Sequence, residues 1–182
     1  MTNLNTRTPS GDGVTQRVDM KPAFSEDLLE HVLQPENLQV AWKSVRANKG
    51  AAGIDGMTVD AFPAWVKEGH LKKMVGEVKT GLYHPFPVRR VEIDKPDGGK
   101  RQLGIPTVAD RVIQQAIAQV LTPIFDPDFS NNSFGFRPHR NEQKAVKQVQ
   151  AIIKTGRRFS VDVDLAKFFD RVNYDLLMTH LG

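Results

Sequence analysis

The sequence predicts an α+β fold, and three observations carry that prediction. Apolar residues recur at helical spacing in Leu38, Ala41, Trp42 and Val45, and again from Val108 to Leu121. Between those stretches, Pro96-Asp97-Gly98-Gly99 separates two β-rich runs, as a hairpin turn does. Near the end, residues 159–165 alternate: Phe159, Val161, Val163 and Leu165 share one side of an extended segment, and Ser160, Asp162 and Asp164 share the other. The first set is expected to face a core and the second to form an acidic edge.

Length and composition bound what the chain does. Its 182 residues, 40% of them hydrophobic, suffice for one ordinary core or for part of a larger protein. The net charge of +4 matters because it is clustered: residues 137–158 hold seven Lys or Arg against Glu142 alone, 7 − 1 = +6. The absence of cysteine excludes a disulfide framework and a thiolate metal site. No apolar run suits a signal peptide or a membrane span, so a soluble cytoplasmic protein with no membrane partner is expected.

Taken in order, residues 1–22 have too few large apolar side chains to offset ordering and are expected to form a flexible tail. Ser25 suits a helix cap ahead of Leu28, Leu29, Val32 and Leu33, with Pro35 closing that helix. The second helix is expected to end at Gly50 in a left-handed conformation. Residues 50–56 form a glycine-rich loop whose amides could approach a phosphate. It lacks the Gly-Lys-Ser/Thr ending of a nucleotide P-loop, and a plain flexible connection accounts for it as well. Thr58 is placed to cap a helix carrying Val59, Phe62 and Val66, and residues 71–79 form another that stops near Gly81.

The hairpin puts Lys95 and Arg101 on opposite arms beside the turn, close enough to converge on one anion. A bound polyphosphate explains two neighbouring cations; independent solvated charges explain them too. Residues 107–121 read as a helix, capped by Thr107 with Asp110 at the right spacing and ended by Pro123. In the following loop, Phe134, Phe136, Arg137 and Arg140 mix aromatics with cations. That mixture suits a single nucleic-acid strand, although both rings could instead be core plugs. A helix over 141–155 is expected to bury Val146, Val149, Ile152 and Ile153 and to display Lys144, Lys147 and Lys154. Arg89, Arg90, Arg137, Arg140, Lys144 and Lys147 are thus the candidate nucleic-acid contacts.

On the acidic edge, carboxylates offer the hard oxygen ligands that Mg²⁺ requires when it bridges phosphates. The competing reading leaves Asp162 and Asp164 in solvent or paired with Arg157 and Arg158.

RRVEIDKPDGGKRQLGIPTVADRVIQQAI, NNSFGFRPHRNEQKAV and VDVDLAKFFDRVNYDLL, in that order, resemble the reverse transcriptases (and maturases) encoded by bacterial group II introns. GAAGIDGMTVDAF looks like the extension that precedes the fingers in those enzymes. The resemblance implies a helical extension over 23–85, fingers over 86–158, and the first palm strand with the start of the next helix over 159–182. It also implies an incomplete right-hand polymerase. Asp164 would be a catalytic aspartate binding Mg²⁺ with the Leu165 backbone carbonyl, and Lys95 and Arg101 would grip the dNTP triphosphate. Phe169 would exclude a 2′-hydroxyl, with Lys167 and Phe168 lining the same pocket. Implied partners are an RNA template (intron RNA), a DNA primer and dNTP, together with a second copy of the chain or a C-terminal remainder of the polymerase.

The sequence departs from the family at Asp94, where proline commonly precedes the fingers lysine. It holds no Asp-Asp pair, and 182 − 164 = 18 residues follow Asp164. The polypeptide alone is therefore expected not to polymerise. The alternative is a non-catalytic, maturase-like fragment that binds intron RNA. A metal-dependent glycosyltransferase would also use Asp-x-Asp, but would not call for the Lys95/Arg101 hairpin.

Overall fold

A computed structural model describes residues 28–96, 98–166 and 168–181, without the side chains of 170, 180 and 181. The expected tail over 1–22, the Ser25 cap and Lys167 lie outside the described residues. The chain divides into two compact units, one up to Pro127 and one from Asp128, so the boundary falls inside the stretch 86–158. Among the described residues the regular secondary structure is helical apart from one small two-stranded antiparallel sheet.

In the first unit, α1 (Leu28–Leu33) and α2 (Pro35–Ala47) meet at a single residue. Gln34 takes φ −59° and ψ 137°, the extended conformation that a following proline imposes, and Pro35 then opens α2 where its missing N–H costs nothing. Leu38, Ala41 and Val45 turn the buried face of α2 onto α5 (Val108–Phe125), which contributes Val108, Val112, Ile113 and Ala116. Ile117, expected on that buried face, is largely exposed. The short α3 (Phe62–Lys67) drives Phe62 into the core, where it stacks on Trp42 at 4.6 Å and Trp65 at 5.4 Å. Met74 enters from α4 (His70–Lys79). Thr58 Oγ accepts the Ala61 N–H at 3.3 Å in a turn just ahead of α3 instead of capping it directly.

Two punctuation marks act differently from expectation. The left-handed residue after α2 is Lys49 (φ 46°), not Gly50. Gly50 instead lies under the Arg111 guanidinium, which donates to the Ala51 carbonyl at 2.8 Å. Gly53 likewise lies against the backbone of Pro106 and Thr107, where a Cβ would come within 2.6 Å of the Thr107 Cα. The glycine-rich loop is therefore packed onto the start of α5. Pro123, expected to end α5, lies inside its last turn. There the helix has few remaining i to i−4 bonds for the ring to break, and it continues to Phe125.

The hairpin pairs β1 (Arg89–Asp94) with β2 (Lys100–Ile105) in an unbroken register from Arg89 opposite Ile105 to Asp94 opposite Lys100.

The second unit holds α6 (Glu142–Lys154) and α7 (Tyr174–Leu181). Asn141 caps α6 as its type and position require, accepting the Lys144 N–H at 2.9 Å. The apolar face of α6 is not buried, contrary to expectation: Val146, Val149 and Ile153 are each more than half exposed. Residues 159–165 form no ladder with any described segment, and Phe159, Val161, Val163 and Leu165 are exposed. A strand exists only against a neighbour, and no described segment pairs with this one. The expected palm strand is thus irregular here. No helix of the described residues is long and apolar enough to cross a membrane.

Candidate functional site

The hairpin sorts its charges by face. Residues directly opposite in an antiparallel ladder share a side, and sides alternate along each strand. Val91 with Leu103 and Ile93 with Arg101 lie on one face, which also takes Arg89. Continuing the alternation adds Lys95, whose N–H bonds to the Gly99 carbonyl at 2.7 Å. The other face carries Arg90, Glu92, Asp94 and Lys100, and Lys100 Nζ bonds Glu92 at 2.8 Å. The first face therefore holds three cations and no acid (+3), the second two of each (2 − 2 = 0). Lys95 and Arg101 are diagonal rather than directly opposite, a separation of about 7–8 Å that is somewhat less between their Cβ atoms. Both are exposed, and neither side chain has an ion-pair partner among the described residues.

Both roots of this hairpin are tied to one carboxylate. Asp110 is buried in the first turn of α5, where it accepts from the Thr107 hydroxyl (2.6 Å), from the Phe86 N–H (3.3 Å) and from the Tyr83 hydroxyl. Phe86 precedes β1 and Thr107 follows β2. Burial raises the Tyr83 hydroxyl well above the usual tyrosine range, and the hydrogen bond to Asp110 adds to the rise. The Thr107/Asp110 spacing was visible as a cap, but the closure from Phe86 and Tyr83 left no local signal.

In the second unit, the loop between Asp128 and Asn141 is organised by its arginines. Arg137 is buried and donates to the carbonyls of Ser130 (2.7 Å), Ser133 (3.2 Å) and Phe129 (3.5 Å). Its guanidinium also lies 5.4 Å from the Phe129 ring centre. Arg140 donates to the Asn131 carbonyl at 2.6 Å and stacks 5.3 Å from Phe134. Lys144 Nζ donates to the His139 carbonyl at 2.6 Å. These cations thus have structural work within the loop, while Lys147 on α6 is exposed.

Asp162 and Asp164 are exposed, and neither has an ion-pair partner among the described residues, so the pairing with Arg157 or Arg158 is not formed. Phe168 and Phe169 meet edge to face at 5.2 Å, with the Phe169 ring mostly exposed. Asp164 and the Leu165 carbonyl are donors of the kind Mg²⁺ takes. Among the described residues no three metal-ligating side chains gather.

The family described as reverse transcriptase (RNA-dependent DNA polymerase) matches residues 93–182. Residues 93–182 belong to the reverse transcriptase family. The chain is 36% identical over 157 residues to protein YkfC of Escherichia coli K12, covering 83% of this chain and 41% of YkfC. It is 37% identical over 154 residues to the group II intron-encoded protein LtrA of Lactococcus lactis, covering 83% and 25% respectively. Nuclear intron maturase 1 of Arabidopsis thaliana is 30% identical over 76 residues, 42% of this chain and 10% of the maturase. The chain thus spans less than half the length of each of these relatives. Within the reverse transcriptase segment stand Lys95, Arg101, the arginine-organised loop and Asp164; Arg89 and Arg90 lie just ahead of it.

Proposed function

We propose that the chain is the nucleotide-gripping and template-holding segment of an RNA-directed DNA polymerase of the group II intron type. In this reading 86–158 serve as fingers and 159–182 open the palm. Lys95 and Arg101 bind the triphosphate of the incoming dNTP. When a primer 3′-oxygen attacks the α-phosphate, the bond to the β-phosphate breaks, and these two cations neutralise the charge that develops on the departing pyrophosphate. Phe169, with Lys167 and Phe168 beside it, excludes a ribose 2′-hydroxyl by bulk. Asp164 and the Leu165 carbonyl contribute part of a Mg²⁺ shell that needs carboxylates from outside these residues. Arg89, Arg90, Arg140, Lys144 and Lys147 line the path of RNA template and DNA primer, and the buried Arg137 shapes the loop that carries Arg140.

The observation that carries this reading is the charge sorting of the hairpin. Uncompensated cations on one face and neutralised ones on the other are what an anion-binding surface needs. The test is dNTP affinity by equilibrium titration of the chain. Lys95→Ala and Arg101→Ala are each expected to weaken binding about tenfold or more, since each removes a charge-assisted contact. Lys100→Ala, on the neutral face, is expected to leave it unchanged. Equal affinity in all three variants and the parent would refute the assignment. The similarity to an intron maturase favours a second reading, an RNA-binding splicing fragment without polymerisation. It would show as salt-dependent binding of intron RNA with no measurable dNTP affinity.

A further inference from the structure

Three phenylalanines stand in the arginine-organised loop, and two already carry a guanidinium: Phe129 that of Arg137 and Phe134 that of Arg140. Phe136 carries none. Its side chain is fully exposed, with no ring contact among the described residues. Its φ is +55°, in the left-handed region that L side chains seldom adopt.

This exposure is fixed by its neighbours. The next residue, Arg137, is the one buried side chain among the described residues of 128–181, and it ties the position after Phe136 to three carbonyls ahead of it, those of Phe129, Ser130 and Ser133. Arg140 and Lys144 bind further carbonyls of the same loop. The ring is therefore presented on a braced support, and the residues that brace it are cations. An aromatic anchor meant for a protein surface is ordinarily ringed by apolar neighbours. Here residues 131–140 are polar or cationic apart from Phe134, Gly135, Phe136 and Pro138, and Phe134 already lies against the Arg140 guanidinium.

We propose that Phe136 is a stacking platform for one unpaired nucleobase of a bound RNA strand, with the phosphates beside that base held by Arg140, Lys144 and Lys147. This rests on the reading that the chain holds RNA and adds to it a base-contacting residue. A bare aromatic face stacks on any base, so the contact positions the strand without selecting its sequence.

The experiment is equilibrium binding of the chain to a labelled oligouridylate of about 12 nucleotides, and to the same sugar-phosphate strand made abasic. The parent is expected to prefer the intact strand about tenfold. Phe136→Gly removes the ring and relaxes at positive φ, so it is expected to lose that preference while melting no lower than the parent. Phe136→Trp is expected to keep the preference. A purely structural ring would give the opposite pattern for Phe136→Gly, with lower melting and unchanged discrimination. The proposal is overturned if Phe136→Gly still prefers the intact strand, if the parent binds both strands equally, or if Phe136→Gly changes self-association in place of RNA affinity. Binding of neither strand by the parent would instead sink the RNA-holding reading itself.

Discussion

The two units solve the problem of staying ordered in different ways. Residues 28–127 gather twelve buried hydrophobic residues from five helices, and their buried polar groups, Thr107 and Asp110, are hydrogen-bonded to each other. Residues 128–181 bury a single side chain among those described, the guanidinium-bearing Arg137, and leave the apolar faces of α6 and α7 in solvent. The first unit is held by desolvation and the second by directed contacts from cations to carbonyls and rings. Directed contacts fix a loop's shape, but each contributes little net free energy compared with a filled core.

The largest expected effect comes from substituting apolar residues in both units. Phe62→Ala empties a site that is 2% exposed and enclosed by two tryptophans, and should cost about 3–5 kcal/mol in denaturant unfolding. Ile153→Ala on the open face of α6 should cost less than about 0.5 kcal/mol. Similar costs at the two positions would break the contrast between the units.

An intermediate effect is expected at Arg137. Replacing it with alanine leaves three carbonyls without their shared donor, a local loss of about 1–3 kcal/mol. Amide exchange over 129–136 should then quicken while the melting of 28–127 stays put. Lysine should not rescue it, because a single ammonium cannot reproduce the planar fork. Unaltered exchange in Arg137→Ala would mean that something other than the arginine shapes the loop.

The smallest effect sharpens the account of the first unit through pH. The Tyr83 hydroxyl is held above its ordinary pKa by burial first and by Asp110 second. Its contribution is therefore fully present below the unfolded value of about 10 and fades as pH climbs toward the raised folded value. Tyr83→Phe should cost about 1 kcal/mol near pH 8, and the gap to the parent should shrink above pH about 10. A gap that stayed constant into alkali would show that the hydroxyl does not titrate against this carboxylate.

Much of this arrangement was legible in the residues because it is local. Thr107 and Asp110 at cap spacing act within four residues, and the β-rich runs on either side of residues 96–99 pair as a hairpin, so local chemistry names both structures. What could not be read depends on partners distant in sequence. Gly50 was expected to end a helix in a left-handed conformation, yet Lys49 takes that conformation and what lies over Gly50 is Arg111, sixty-one residues on. The periodicity of Val146, Val149, Ile152 and Ile153 identifies an apolar face correctly but says nothing of what covers it. Alternation through Phe159 to Leu165 has the same weakness, since a ladder needs a second segment. For the candidate site, residue types marked Lys95 and Arg101; only the strand register revealed that the opposite face is neutralised.

The Asp110 staple gives the hairpin a fulcrum. With Phe86 and Thr107 pinned to one carboxylate, tilting the arms has to pivot at that point, not slide along the helices. Six residues of strand reach about 20 Å, so a rotation of about 10° at the pivot would sweep Lys95 and Arg101 through about 3 Å. That travel is comparable to one hydrogen-bond length, enough to make or break a polar contact at the tip of the hairpin.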